Sequence, residues 1–178
     1  MILHSTTHFD KAATKDWKSA SATLARMTAA WTAHQAAGDV PPQLVGPTDS
    51  ALDALATAIK VHKPGPARDA ALDAAQAALD LQMQFRGPAE VDLARLDLWA
   101  RQIVVDAARA DIAAVSGDTA TLEWIRDRIA RSLDSVVVTR IDTLLEQLRS
   151  NVKDGDPVAA AETAATFRDL LAQATPVP

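Results

Sequence analysis

The spacing of the apolar residues is the feature that most limits what this chain can fold into. Along most of its length, apolar side chains return every three or four residues, as they do on one face of an α-helix. The clearest stripe lies in residues 7–37 and includes Phe9, Trp17, Leu24 and Trp31. No stretch shows the two-residue alternation of a half-buried strand. The sequence therefore predicts an all-α chain without a sheet.

Glycine and proline divide this rhythm into segments, because each favours a helix end. Residues 39–48 contain three prolines and are predicted to be the longest irregular stretch, and residues 63–66 are predicted to break or sharply kink the chain. Gly38, Gly117 and Gly155 are predicted to end helices. The helical segments expected between these breaks are 7–37, 49–62, 67–86, 89–115, 118–133, 138–152 and 157–174.

The connections between these segments are short, so consecutive helices are expected to lie side by side and run antiparallel. The chain contains 38 Ala, the best helix former, and an Ala-rich core lets helices approach closely. We therefore predict an antiparallel helical bundle of about five to six helices, several of them kinked. A short α-solenoid of helical hairpins is the alternative. One domain is expected over residues 1–178, with 1–6 and 175–178 frayed.

Two apolar stripes coexist on the segment 89–115, which predicts that it is packed on two sides and is the most buried helix. The residues expected in the core are Leu24, Leu79, Leu96, Ile103 and Ala107.

Charge and composition exclude several classes of protein. The net charge is −5, and the 18 basic residues are scattered among 23 acidic ones, which disfavours nucleic acid and anionic membranes as partners. The chain has no Cys, which excludes disulfides and thiolate metal sites. No apolar run approaches the roughly 18–20 residues of a transmembrane helix.

The first residues lack the basic region and apolar segment of a signal peptide. The polar, Thr-rich stretch before Phe9 is typical of the remainder of a removed leader or tether. This favours an extracytoplasmic protein over a cytoplasmic one, and the usage of Ala, Asp and Arg suggests a bacterial source.

Few patterns in the chain point to catalysis. No Glu is followed three residues later by His, as a di-iron bundle requires, and no nucleophile elbow or phosphate-binding glycine loop occurs. We therefore predict no catalytic residue. His4 and His8 are four residues apart and would share a helix face, where two imidazoles can chelate a transition metal. The alternative is a mobile N-terminal segment with incidental histidines.

A ligand site is predicted beside the break at residues 63–66, where a groove against the first helix could open. Trp17, Met27 and Trp31 lie along that helix, and His62 lies just before the break. The largest apolar pocket is expected to be bordered by Trp17 or Met27 and by His62. The alternative is a closed, Ala-filled core without a pocket.

These patterns favour a non-catalytic helical-bundle protein that binds or scaffolds in the bacterial cell envelope. Its partner would be an unknown protein or a small apolar ligand, and no cofactor is expected. The alternative is a metal- or cofactor-handling protein that binds a transition metal through His, Met and Asp.

Overall fold

The computed structural model describes residues 16–38 and 40–177, and it is all-α over these residues, as predicted. They form seven α-helices: α1 Trp17–Ala37, α2 Pro42–Lys60, α3 Pro64–Gln82, α4 Pro88–Ala107, α5 Ile112–Ile129, α6 Ser135–Asp154 and α7 Pro157–Leu171. A short 3-10 turn, Ala130–Ser132, follows α5. The chain divides into two compact units. Unit 1 ends at Gln84 and contains α1 to α3, whereas unit 2 begins at Phe85 and contains α4 to α7. The single domain expected over 1–178 stays a prediction.

Polar caps and left-handed residues set the helix ends. Gly38 and Gly155 follow α1 and α6 with φ of 80° and 65°, so both are helix ends, as predicted. This conformation favours glycine because glycine has no Cβ to clash with the backbone. At four helix starts, an aspartate carboxylate accepts a hydrogen bond from a backbone N–H of the first turn. These caps are Asp16, Asp111, Asp134 and Asp156.

The irregular stretch predicted for residues 39–48 is wrong, because α2 already begins at Pro42 and Pro47 lies inside it. Proline fits the first helical position, since its missing N–H would have no partner there. The side chains of Leu44 and Val45 pack against a buried cluster that contains Trp31, which supports helix in the first turns of α2. In the same way α3 begins at Pro64, whereas the sequence predicted that this helix begins at residue 67.

The long helix predicted over 89–115 is also wrong, because α4 ends at Ala107 and α5 begins at Ile112. Ala110 has φ of 56°. The N–H of Asp111 donates to the carbonyl of Asp106, 3.0 Å away, which closes a Schellman-type helix end. Gly117, predicted to end a helix, lies inside α5.

The helices of unit 1 run antiparallel. Trp17 at the start of α1 contacts His62 after the end of α2, and Trp31 near the end of α1 contacts Asp49 near the start of α2. Ala58 of α2 packs with Ala67 of α3, close to the turn that joins them. The main core cluster lies between the three helices and is built mostly from alanine: Ala20, Ala51, Leu55, Ile59, Ala70, Ala71 and Ala74.

Unit 2 is a closed bundle in which α4 packs against both α5 and α7, and α6 packs against both α5 and α7. A solenoid of hairpins would lack the α4–α7 contact, so the bundle prediction holds for this unit. Its largest fully buried side chains are Val91, Leu96, Ile103, Val115, Leu122, Ile125, Ile129, Ile141, Leu148 and Phe167. After α7, the N–H of Val177 donates to the carbonyl of Ser132, 2.8 Å away.

Four of the five predicted core residues are buried, namely Leu79, Leu96, Ile103 and Ala107. Leu24 is only half-buried, and it packs against the core of unit 1 from the edge.

Candidate functional site

Two of the predicted ligand-binding residues, Trp17 and His62, lie in contact with each other. Their rings stack with centroids 5.0 Å apart and planes inclined by 27°. His62 has φ of 54°, a left-handed conformation that turns the chain between α2 and α3. Because the two rings are stacked, they leave no room for a ligand between them.

The other two predicted residues, Met27 and Trp31, lie further along α1. Trp31 is buried, and its Nε1 donates a hydrogen bond to Oδ1 of Asp49, 2.6 Å away. Met27 is half-buried and packs against two core clusters of unit 1. Trp31 and Met27 therefore contribute to the packing of α1 in unit 1. The ring of His34 lies 6.3 Å from that of Trp31, at the end of α1 opposite to His62.

The metal site predicted at His4 and His8 lies outside the described residues. Within the part of the chain that the structure describes, no three His, Cys, Asp or Glu side chains surround a common point where a metal ion could bind. The metal- or cofactor-handling alternative stays a prediction.

An open groove of about 680 Å³ lies between α1 and α2. Its walls combine Leu24 and Ile59 with small side chains, and Lys60 is the one charged residue among those that line it. The small residues of α1 recur every three to four positions, which places them on one helix face. The lining residues are Ser21, Leu24, Ala25, Thr28, Ala29 and Thr32 of α1, and Ala56, Ile59 and Lys60 of α2.

This groove lies near the region predicted for a ligand site, but the predicted residues do not line it. Leu24 and Ile59 line this groove, whereas Trp17, Met27 and His62 do not. The run of small residues at helical spacing on α1 was the sequence signal that could have located it.

A pair of buried carboxyl groups lies in unit 2, where α4 packs against α5. Asp106 and Asp118 hydrogen-bond to each other, and the amide Nε2 of Gln102 donates to Oδ2 of Asp106, 2.7 Å away. Burial raises the pKa of Asp118 to about 8, helped by that hydrogen bond and by the charges of Asp106 and Asp111. Oδ2 of Asp118 accepts no hydrogen bond from the described residues.

Asp118 therefore keeps its proton near neutral pH, because burial and the neighbouring negative charges disfavour its ionised form. The pair can therefore respond to pH, and it couples α4 to α5 most favourably while Asp118 is protonated. The sequence did not predict the pair, because it placed a helix end at Gly117 and a new helix from Asp118, whereas Gly117 and Asp118 both lie inside α5.

Compared with family models, curated proteins and solved structures, the chain shows no significant match. Among the described helices, none is both long enough and apolar enough to cross a membrane.

Proposed function

We propose that this chain is a non-catalytic binding protein that accepts the apolar face of a helix from a protein partner in the groove between α1 and α2. The observation that carries the proposal is the groove itself, an open channel lined by Leu24, Ile59 and small side chains. An amphipathic helix placed in an apolar groove is a common mode of peptide recognition.

The shape of the groove favours a helix over a small molecule. Pockets for small ligands are concave and bury most of the ligand surface, whereas this groove is open along its length. From Ser21 to Thr32 it extends over 11 residue steps, or about 16 Å at 1.5 Å per residue. That length matches about three turns of a partner helix. Ala25, Ala29 and Ala56 allow the partner backbone to approach closely, because their side chains are short.

Charge places a further condition on the partner. Lys60 lies at one end of the groove, and α1 carries Lys18 and Arg26 but no acidic residue. A carboxylate on the partner helix would meet the Lys60 ammonium at the rim of the groove. Because this contact is exposed to solvent, it would orient the helix more than it would strengthen binding.

The test uses the whole chain and a synthetic amphipathic helix of about four turns, with Leu on one face and Glu on the other. We expect Ala29→Glu to weaken binding by at least about tenfold, or 1.4 kcal/mol, in isothermal titration calorimetry. Ala30→Glu is the matched control, because Ala30 is exposed on the same helix but does not line the groove. A peptide of the same composition in scrambled order should not bind. Equal binding by both variants would refute the groove as the site.

A further inference from the structure

One face of α5, in unit 2, is exposed along its whole length and combines a large side chain with small ones. Ala113, Gly117, Ala120, Trp124 and Arg128 recur every three to four residues, and all are exposed. The Trp124 side chain is 63% exposed, although tryptophan is among the residues most costly to leave in water. A Cβ added at Gly117 would have nothing within 4 Å, so the space above this position is open.

Trp124 is held in place by its neighbours rather than left mobile. The guanidinium of Arg128 lies 4.3 Å from the centre of the indole ring, in a cation–π contact. Nε of Arg128 donates to Oδ2 of the buried Asp92 at 2.6 Å, and its Nη2 donates to Oδ1. A fixed aromatic side chain loses little conformational entropy on binding, and Trp and Arg dominate the energetics of many protein interfaces.

We propose that this face is a self-association surface, at which the α5 helices of two copies of the chain pack antiparallel. Trp124 lies seven residues from Gly117, about 10.5 Å along the helix axis. If a two-fold axis passes between Ala120 and Thr121, Trp124 of each copy lies opposite Gly117 of the other. The protruding indole of each copy then occupies the open space at Gly117 of the other. This contact occurs twice, as a symmetric interface requires.

The charges on this face favour a second copy over a foreign partner. Arg128 lies near the end of α5, and the exposed Arg131 lies in the 3-10 turn that follows it. The exposed Asp111 lies at the start of α5, where its carboxylate caps the helix. In an antiparallel pair each copy brings its arginines towards Asp111 of the other, and the helix dipoles oppose. The exposed carboxylate of Asp127, on the same side, pairs with Arg126 of its own chain at 3.0 Å. A parallel pair would place arginine against arginine.

Sedimentation velocity of the full chain at increasing concentration tests the proposal. We expect a reversible rise in mass toward a dimer, and at least a tenfold weaker association constant for Trp124→Ala and for Gly117→Leu. Gly117→Leu is informative for two reasons. Leucine favours helix and so leaves the monomer intact, and its side chain fills the open space at position 117. Val158→Ala is the control, since Val158 is a 67% exposed apolar residue elsewhere in unit 2. A monomer at every concentration, or association that both variants leave unchanged, would overturn the proposal.

The orientation is tested separately, because the chain has no cysteine. Ala120→Cys lies next to the proposed two-fold axis, so oxidation should join two copies through a disulfide, which needs Cα atoms within about 7 Å. Ala113→Cys is the matched control, as antiparallel packing would hold its two copies about 22 Å apart along the axis. Crosslinking through position 113 but not 120 would contradict the antiparallel arrangement. Neither result depends on the groove proposed in unit 1.

Discussion

The two units of this chain use the same antiparallel helix packing, but they fill their cores with different side chains. In unit 1, five of the seven buried residues in the main cluster are alanine. In the cluster of unit 2, four of seventeen are alanine, and the rest are larger aliphatic residues and Phe167. Each buried methylene contributes about 0.8 kcal/mol. Unit 2 therefore gains more from apolar burial, whereas unit 1 relies on the close approach of its helices.

The two units also differ in the kind of polar contact that joins their helices. In unit 2, ion pairs join α4 to α5, α4 to α7 and α5 to α6. In unit 1, Asp49 of α2 accepts hydrogen bonds from two side chains of α1, Trp31 and Gln35. From its smaller core side chains we infer that unit 1 is the more deformable unit. That property suits the proposed groove, which must adapt to a partner.

The largest expected effect is the loss of a buried side chain in unit 2. Leu96→Ala and Ile103→Ala each empty a fully buried position, so each is expected to cost about 2–5 kcal/mol. Leu24→Ala in unit 1 removes a half-buried side chain at the edge of the groove, and we expect a cost of about 1 kcal/mol. Urea denaturation followed by circular dichroism measures all three. Losses under about 0.5 kcal/mol at both unit 2 positions would show that α4 is not central to its bundle.

Hydrogen exchange of the intact chain tests the comparison at the level of whole helices. We expect slow-exchanging amides of α1 and α2 to exchange at least about tenfold faster than those of α4 and α5, a difference of 1.4 kcal/mol in opening free energy. Mass spectrometry of peptic fragments measures both units in one sample, so each serves as the control for the other. Equal protection would show that close helix approach compensates for the small side chains of unit 1.

The stability of unit 2 is expected to depend on pH through Asp118. The pKa of Asp118 rises from its ordinary value of 3.8 to about 8 in the folded chain. The folded chain therefore binds more protons than the unfolded chain between these values, and the contribution of Asp118 to stability falls as pH rises through this window.

Asp118→Asn mimics the protonated form, so its stability relative to wild type is expected to increase with pH. One pKa unit corresponds to about 1.4 kcal/mol, and we expect the relative gain across the window to reach at least ~1.4 kcal/mol. Thermal unfolding at a series of pH values measures it, with Asp53→Asn, an exposed carboxyl of unit 1, as the matched variant. A relative stability that does not change with pH would contradict the raised pKa of Asp118.

The helices were predictable where a local pattern determines them, and not where tertiary packing does. Gly38 and Gly155 mark helix ends because glycine alone adopts their φ without strain. Ala110 adopts a left-handed φ with no local signal, since the packing of α4 on α5 imposes it. The sequence placed Pro42 in a loop, because the spacing could not show that Leu44 and Val45 pack on the buried cluster that contains Trp31.

The proximity of His62 to Trp17 was predictable, but the residues that line the groove were not. The break before Pro64 correctly placed His62 near Trp17, because an antiparallel α2 returns to the start of α1. Their stacking depends on ring orientation, which spacing along the chain does not determine. The exposure of Trp124 could not be predicted either. Gly117 and Trp124 share one face of α5, but the predicted helix end at Gly117 placed them in different segments.

The smallest expected effect compares one backbone feature in the two units. Ala110 in unit 2 and His62 in unit 1 both adopt positive φ, which costs a residue with a Cβ about 1–2 kcal/mol. Ala110→Gly relieves this strain and is expected to stabilise the chain by about 0.5–1 kcal/mol after the entropy that glycine loses on folding. His62→Gly relieves the same strain but removes the ring stacked on Trp17, worth about 0.5–1.5 kcal/mol. We therefore expect no net gain from it. Thermal unfolding of both variants measures the difference, and an equal gain at both positions would show that the stacked pair contributes nothing to unit 1.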